Sequence, residues 1–559
     1  MHRLIATLGW PDCSGVAGSR NLYFVDCPQR VLSVFCAIVF SGTVQAGNLA
    51  PMDQRSLHPP WQRQPSAEIP GDTQLQRWLR EQGTFPCAGK SLPADNALTL
   101  LTTSGLRQSR AQCSDLAQPA LQRARRHART GRNWRALFAA AHTAFVRDPT
   151  CLEAALWLSE VQMACAKHQV ALKLWDELWA TWGGEHPPSK KWQTWALRQV
   201  LKARVAILRT LPTARTLRRE KIASGPTVRI AAVGDVHLGR GWRPGKRPLL
   251  PPREGKGYFD AVSGYLSLGD VTLANLETAL LDEGESRKCI RKKRPEHCHS
   301  FRSSTVMAKR LAEAGIDLVS VANNHAGDFG MKGLFSTWSH LQDVGVETLG
   351  LGGTVNQTEI KGTKIAFAAF GAGRSCLGLT DIESARRIVS HLAANNDVVV
   401  VTFHGGAEGW SHRHVSRKME KYLGEKRGNV YDFAHAVVDA GADLVVGHGP
   451  HVMRAMEIYR DRLIAYSLGN FSSWYTFPSR GPLSKSAVLV VDLAANGVLR
   501  RIRLLPTKME KSGRPVPDPK GWSIGLVRSL SDADFGNSIV DDTGFYLHNP
   551  EVAHQVRSP

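Results

Sequence analysis

No Cys-x-x-Cys pair occurs in the 559 residues, so a zinc ribbon is not expected. No nucleic-acid-binding motif with readable spacing is present, and specific recognition of RNA or DNA is not expected either. The apolar run at 31–44 (VLSVFCAIVFSGTV) falls short of the about 20 residues that a comfortable membrane span needs. The residues before Cys36 (Ser33-Val34-Phe35) are not the small ones of a lipid-attachment box, which excludes a lipoprotein. Acidic residues are outnumbered: 49 Asp and Glu face 71 Lys and Arg, for a formal charge of +22 and a pI near 9.8. A surface of that sign attracts polyanions, whether nucleic acid, anionic lipid or polycarboxylate, and composition alone does not choose among them.

What is present at the N-terminus reads as an address. Arg20 and Arg30 precede the apolar run, and Val44-Gln45-Ala46 offers small residues for cleavage, so residues 1–46 are expected to be a signal peptide or, failing cleavage, an anchor. The protein is therefore expected to be exported, to the periplasm or the cell surface. Cysteine usage agrees: outside the leader the cysteines fall in sequence-near pairs, Cys87/Cys113, Cys151/Cys165 and Cys289/Cys298, with Cys376 single. Such pairing suits an oxidising compartment, although spacing does not prove connectivity.

Residues 47–72, rich in Pro, Gln and Arg, read as a linker. Residues 73–213 read as helical, with few strand formers; 134–145 and 152–178 carry tetratricopeptide-like spacing, and a plain helical bundle fits as well. A charged stretch and Ala-Ser-Gly-Pro make 214–226 a second linker, and 541–559 a tail. Between them strands and helices alternate. Strands are expected at 227–233, 271–275, 318–322, 364–370, 398–403 and 444–446, helices at 305–314, 382–393 and 430–440, and a closing hairpin at 487–493 with 499–504. That alternation predicts an α/β sheet covered on both faces, with its chemistry where loops leave the carboxyl ends of strands.

Five of those strand exits carry metal-capable side chains. Gly234 offers a tight turn before Asp235-Val236-His237, and Asn275-Leu276-Glu277, Asn323-Asn324-His325, His404 with Gly405-Gly406-Ala407-Glu408, and His448-Gly449-Pro450-His451 follow. Singly each is ordinary, since an Asp after a strand is usually a turn or cap and Asn-Asn is turn chemistry. Jointly they are hard to explain as packing. Carboxylates, an amide and imidazoles without thiolate suit Mn, Fe, Zn or Mg rather than a structural zinc.

These same segments, with Asp328 and Gly330, the run Ala440-Gly441-Ala442-Asp443 and the closing Ile464-Ala465-Tyr466-Ser467-Leu468-Gly469-Asn470-Phe471, resemble the CapA family over 227–540. That family is similar to the calcineurin-like metallophosphoesterases. The resemblance implies a two-sheet α/β sandwich, preceded here by the all-helical region, and a centre of two divalent transition-metal ions (Mn, Fe or Zn). It implies that Asp235, His237 and His451 hold one ion, Asn324, His404 and His448 the other, and that Glu277 bridges them. His325 would act as general acid or oxyanion stabiliser. Two such ions about 3.5–4 Å apart can share a hydroxide and clamp entering and leaving oxygens. Three departures stand out: Glu277 where phosphoesterases carry Asp, Gly449 in place of a common His, and the added Asp-x-His at His237.

Asn275, Asn323, Asp328, Glu408, Glu457 and Asn470 are candidates for orienting the ligands from behind. Arg374, after Gly371-Ala372-Gly373, and the cations Arg291, Lys292, Lys293 and Arg294 are candidates for holding an anionic substrate. A charge run is usually a solvated loop, and a Gly-rich turn is ordinary. The resemblance implies a hydrolase-type role in poly-gamma-glutamate or capsule polymer biosynthesis, with metal-bound hydroxide as nucleophile and the polymer as partner. A protein partner at the helical region is a further expectation. The alternatives are a periplasmic phosphodiesterase or nucleotidase, and a non-catalytic polymer-binding assembly factor.

Overall fold

The structure is a computed structural model and describes residues 117–130, 134–147, 152–164, 171, 174–175, 198–203, 205–206, 225–239, 250–286, 288, 299–373 and 376–547. The apolar run at 31–44, the linkers, the three cysteine pairs, Arg374 and the cations at 291–294 lie outside the described residues. Cys376 is a free, buried thiol. Among the described residues no helix is long and apolar enough to cross a membrane.

Three helices open the described chain: α1 (Gln118–Thr130), α2 (Trp134–Arg147) and α3 (Leu152–Ala164). Apolar residues recur at helical spacing and are buried, among them Leu121 and Ala124 in α1, Leu137, Ala141, Ala144 and Phe145 in α2, and Trp157 and Val161 in α3. The Trp175 indole donates to Ser159 Oγ of α3 at 2.6 Å, so a buried polar pair satisfies itself within this apolar region. Residues 198–203 are helical, and Leu201 enters a core of the α/β domain, where Gly352 leaves room for it.

The α/β domain is two mixed sheets packed face to face. The first contains β1 (Thr227–His237), β2 (Val271–Leu276), β3 (Leu318–Ser320) and β4 (Glu347–Leu349) in parallel. The second contains β5 (Val355–Ile360), β6 (Thr363–Gly371), β7 (Val398–His404), β8 (Leu444–His448), β9 (Met456–Tyr459) and β10 (Arg462–Ala465), in the order β9-β10-β8-β7-β6-β5. Back on the first sheet, β11 (Asn470–Ser473) runs parallel to the end of β1, β12 (Lys485–Ala494) antiparallel to its start, and β13 (Leu499–Met509) completes the hairpin with β12.

Period-two alternation sets the layers. In β1, Val228, Ile230 and Ala232 face the core between the sheets, whereas Ala231 and Val233 face outward. In β7, Val398 and Val400 face inward and Val399, Val401 and Phe403 outward. The outer faces are covered by α4 (Met307–Glu313) and α5 (Gly330–Gln342) on the first sheet, and by α6 (Ile382–Asn395) and α7 (Val430–Asp439) on the second. The N-caps of α6 and α7 are Asp381 and Asn429, whose side chains accept from Ser384 N and Asp432 N. Last comes α8 (Trp522–Phe535), with Ile524 and Val527 in the inter-sheet core.

Two expectations need correction. The first strand does not end before Gly234: it continues through His237 with a register shift between Ala232 and Asp235. Gly234 is therefore no tight turn. A β-carbon there would lie 2.0 Å from Gly469 O, so glycine is required for β1 to approach the chain entering β11. The sheet also gains strands from the segments at 347–349, 355–360, 456–465 and 470–473, and the helix Gly330–Gln342, none of which the alternation pattern had marked.

Candidate metal centre

The register of the strands brings the marked residues to one place. Asp235 of β1 is level with Asn275 of β2 on one side and Asn470 of β11 on the other, and His404 of β7 is level with His448 of β8. Glu277 follows β2 by one residue, its backbone N–H donating to Val236 O. His451 follows a turn in which Gly449 has φ +110°, and His451 itself holds φ +59°, a left-handed conformation costly for a side-chain-bearing residue.

Glu277 is the hub. One carboxylate oxygen lies 3.1 Å from His237 Nε2 and 3.9 Å from His451 Nδ1; the other lies 3.4 Å from His404 Nε2 and 4.0 Å from His325 Nε2. Asp235 reaches His451 Nδ1 at 3.0 Å with one oxygen and lies 3.6 Å from His448 Nδ1 with the other. Ligand-capable atoms of His237, Glu277 and His451 lie within 4.8 Å of one another, and so do those of Asp235, Glu277 and His404. Glu277 is common to both sets. The grouping differs from the expected one in that Asp235 stands with His404 as well as against His451.

Supporting amides fix these groups. Asn275 Nδ2 donates to Asp235 Oδ1 at 2.8 Å and lies 3.1 Å from His404 Nδ1, which leaves Nε2 of that ring turned to Glu277. Asn323 Nδ2 donates to Asn275 Oδ1 and Leu276 O, while its oxygen accepts from the backbone of His325 and Ala326. Asn470 Oδ1 lies 3.0 Å from His451 Nδ1, and its amide donates to His451 O. Asp328 lies 2.7 Å from His325 Nδ1. Glu408 places one oxygen 3.7 Å from His451 Nε2 and the other 3.0 Å from Arg427. Glu457 does not join them: it lies on β9, bonded to His435 and Tyr466.

The electrostatics are those of a crowded, dry site. Burial favours the neutral carboxyl at Asp235 and Glu277, yet the surrounding imidazoles outweigh it and hold both below the usual range, His451 foremost for Asp235 and His404 for Glu277. Burial also pulls on His451, but Glu277 and Asp235 prevail and hold it up at about 10. Burial lowers His404 and brings His448 down to about 4. His325 is driven well below its ordinary value by burial and then by the Lys288 ammonium, and burial pushes Asp328 up to about 7.

The donor set fits divalent cations. Both ring nitrogens of His448 and Nδ1 of His237 are buried without a hydrogen-bond partner, a condition native interiors rarely leave uncompensated. One end of the Asn324 amide lies 2.9 Å from His404 Nε2 and 3.3 Å from Glu277 Oε1, the other 3.2 Å from Arg427 Nη2 and 3.1 Å from His325 Nε2. With nitrogen at the first end all four contacts are hydrogen bonds; with oxygen there, the carbonyl is turned to a cation site beside His404 and Glu277, at the cost of setting the amide nitrogen against the Arg427 guanidinium.

Several residues that shape the site escaped the sequence reading. Arg427 is buried and meets Glu408 and the Asn324 amide. Phe301 and Phe477 wall the centre, Phe301 with its ring centre 4.2 Å from that of His325 and Phe477 at 4.4 Å from His451. Lys288, within the basic run at 287–294, donates to Asp328 Oδ1 at 2.5 Å and to Asn324 O. Arg454 binds Glu420 through both terminal guanidinium nitrogens, Nη1 and Nη2, and the pair grips the N–H and C=O of Ala407, next to Glu408. No local motif marks an arginine or a phenylalanine that arrives from a distant segment, though Lys288 stands close before the cations at 291–294.

Residues 229–475 match the family model described as bacterial capsule synthesis protein PGA_cap. The chain is 29% identical over 257 residues to the capsule biosynthesis protein CapA of Bacillus anthracis, covering 43% of this chain and 58% of that protein. It is 24% identical over 344 residues to the PGA biosynthesis protein CapA of Bacillus subtilis, covering 57% and 82%. The matched part thus spans little more than half the length of the first of these relatives. Among solved structures, NAD nucleotidase of Haemophilus influenzae aligns over 59% of each chain at 11% identity and a TM-score of 0.28, too loosely to inform the site.

Proposed function

Starting from a segment similar to the capsule synthesis family CapA, we propose that this chain is a metal-dependent hydrolase-type protein acting outside the cytoplasm on an anionic envelope polymer of the polyglutamate kind. The observation that carries this reading is Glu277, buried between two converging sets of imidazole and carboxylate groups whose own hydrogen bonds leave His448 unsatisfied. His237 and His451 would hold one ion, His404, His448 and Asn324 the other, with Glu277 between them and Asp235 within reach of both sets. Two divalent ions bound there would supply an acidified water and polarise the scissile group.

The protein's own residues do the rest. Phe301 and Phe477 pack against the His237 ring, and the side of the half-buried Asn324, Glu408 and Lys288 is the proposed approach for substrate. His325 turns Nδ1 to Asp328 and Lys288 and Nε2 to the site. With its basicity depressed it stays neutral at pH 7, and Nε2 exchanges a proton or a hydrogen bond with the reacting group.

Purified full chain assayed with Mn against poly-gamma-glutamate and against an aryl phosphodiester tests the reading. Polymer cleavage is the expected result. Turnover of the phosphodiester alone would replace it with a phosphodiesterase or nucleotidase, and polymer binding without turnover would replace it with an assembly factor.

A further inference from the structure

The ribbon formed by Glu420–Tyr422 and Glu425–Gly428 turns Glu420 and Arg427 toward the metal centre. Across a register shift between Glu420 and Lys421, Glu420 and Arg427 are buried whereas Lys421 and Lys426 are exposed. The register sets them directly opposite each other. Like charges in that position destabilise a two-stranded pair, so folding by itself is badly served. Glu420 is spent on the buried Arg454, and Glu425 lies 3.5 Å from the buried Arg427. Just before the ribbon, Arg417 and Lys418 are exposed too, Arg417 with its guanidinium over the Tyr431 ring at 4.8 Å, and among the described residues none of these four cations makes an ion pair. At the tip, Leu423 and Gly424 have φ of +46° and +81°, a two-residue turn in which Asn-Gly is favoured. Leucine is strained there, and its side chain is 56% exposed, with Met419 of the same segment 44% exposed.

We propose that this ribbon is the polymer-binding element of the protein. Lys421 and Lys426, with Arg417 and Lys418, take successive carboxylates of a linear polycarboxylate, while Leu423 and Met419 cover its methylene groups. The inference rests on the polymer reading above but locates the grip outside the metal centre, so the two can fail separately.

The test measures binding of length-defined poly-gamma-glutamate to the full chain by anisotropy at low and high salt, with ion content and thermal midpoint as companions. Lys421→Glu creates an opposite-charge pair with Lys426, so the midpoint should rise while polymer affinity falls. Lys421→Glu/Lys426→Glu should lose about tenfold or more in affinity at low salt, less at high salt, with ion content unchanged. Undiminished polymer affinity in the double variant would overturn the ribbon and leave the polymer reading standing. Binding of inorganic polyphosphate but not polyglutamate, lost in the double variant, would keep the ribbon and sink the polyglutamate reading. Binding only to vesicles containing anionic lipid would overturn the proposal in favour of a membrane contact.

Discussion

At Glu277 a single carboxylate faces four imidazoles, so its removal leaves both ligand sets without their shared anion. Glu277→Ala should lower bound metal from about two ions per chain to fewer than one by elemental analysis. His325 differs in kind, because Nδ1 is taken by Asp328 and only Nε2 addresses the site. His325→Ala should keep both ions and lower turnover by roughly 10²–10⁴, the usual worth of a positioned proton donor or acceptor. His451 makes a prediction about pH in chelator-treated protein. Its folded value, about 10, lies above the ordinary 6.5, so its stabilisation is complete below about 6.5 and lost as pH rises through about 10. The thermal midpoint should fall over that window, and His451→Gln should flatten the fall.

Among the elements, the turn after β8 decides how closely the carboxyl ends of the neighbouring strands β7 and β8 can approach. A β-carbon on Gly449 would meet Gly405 O at 2.9 Å and His404 Nε2 at 3.2 Å, and φ +110° already disfavours any side chain. Gly449→Ala should cost roughly 1–3 kcal/mol of stability, read as a lower denaturation midpoint, and should weaken metal binding by displacing His404. The alternation of strands and helices was legible because apolar runs bounded by Gly and Asn keep their period whatever surrounds them. Short strands such as Glu347–Leu349 and Asn470–Ser473 were not, because only a neighbouring strand's unpaired N–H and C=O groups make strands of them.

At the scale of the molecule, the helical residues 198–203 are tied to the α/β domain through Leu201, buried among Ala231, Leu341 and Leu351 of one outer core. Leu201→Ala should destabilise the protein by roughly 2–5 kcal/mol through the cavity it leaves, measured by chemical denaturation, with ion content unchanged.

The sequence by itself marked the metal-capable side chains Asp235, Glu277, Asn324, His404, His448 and His451, since each follows or ends an apolar run, although Asp235 lies within β1 and not beyond its end. It also carried the resemblance to the CapA family. It did not determine how those exits face one another. That Asp235 touches His451 and stands with His404, that Glu277 lies between the sets, and that Glu457 faces His435 instead were decided by sheet register and by which face of each strand turns inward. Arg427, Phe301 and Phe477 belong to the same class. Their side chains are ordinary until packing removes water and brings them within reach of the imidazoles, and a contact between residues far apart in the chain has no local signature to read.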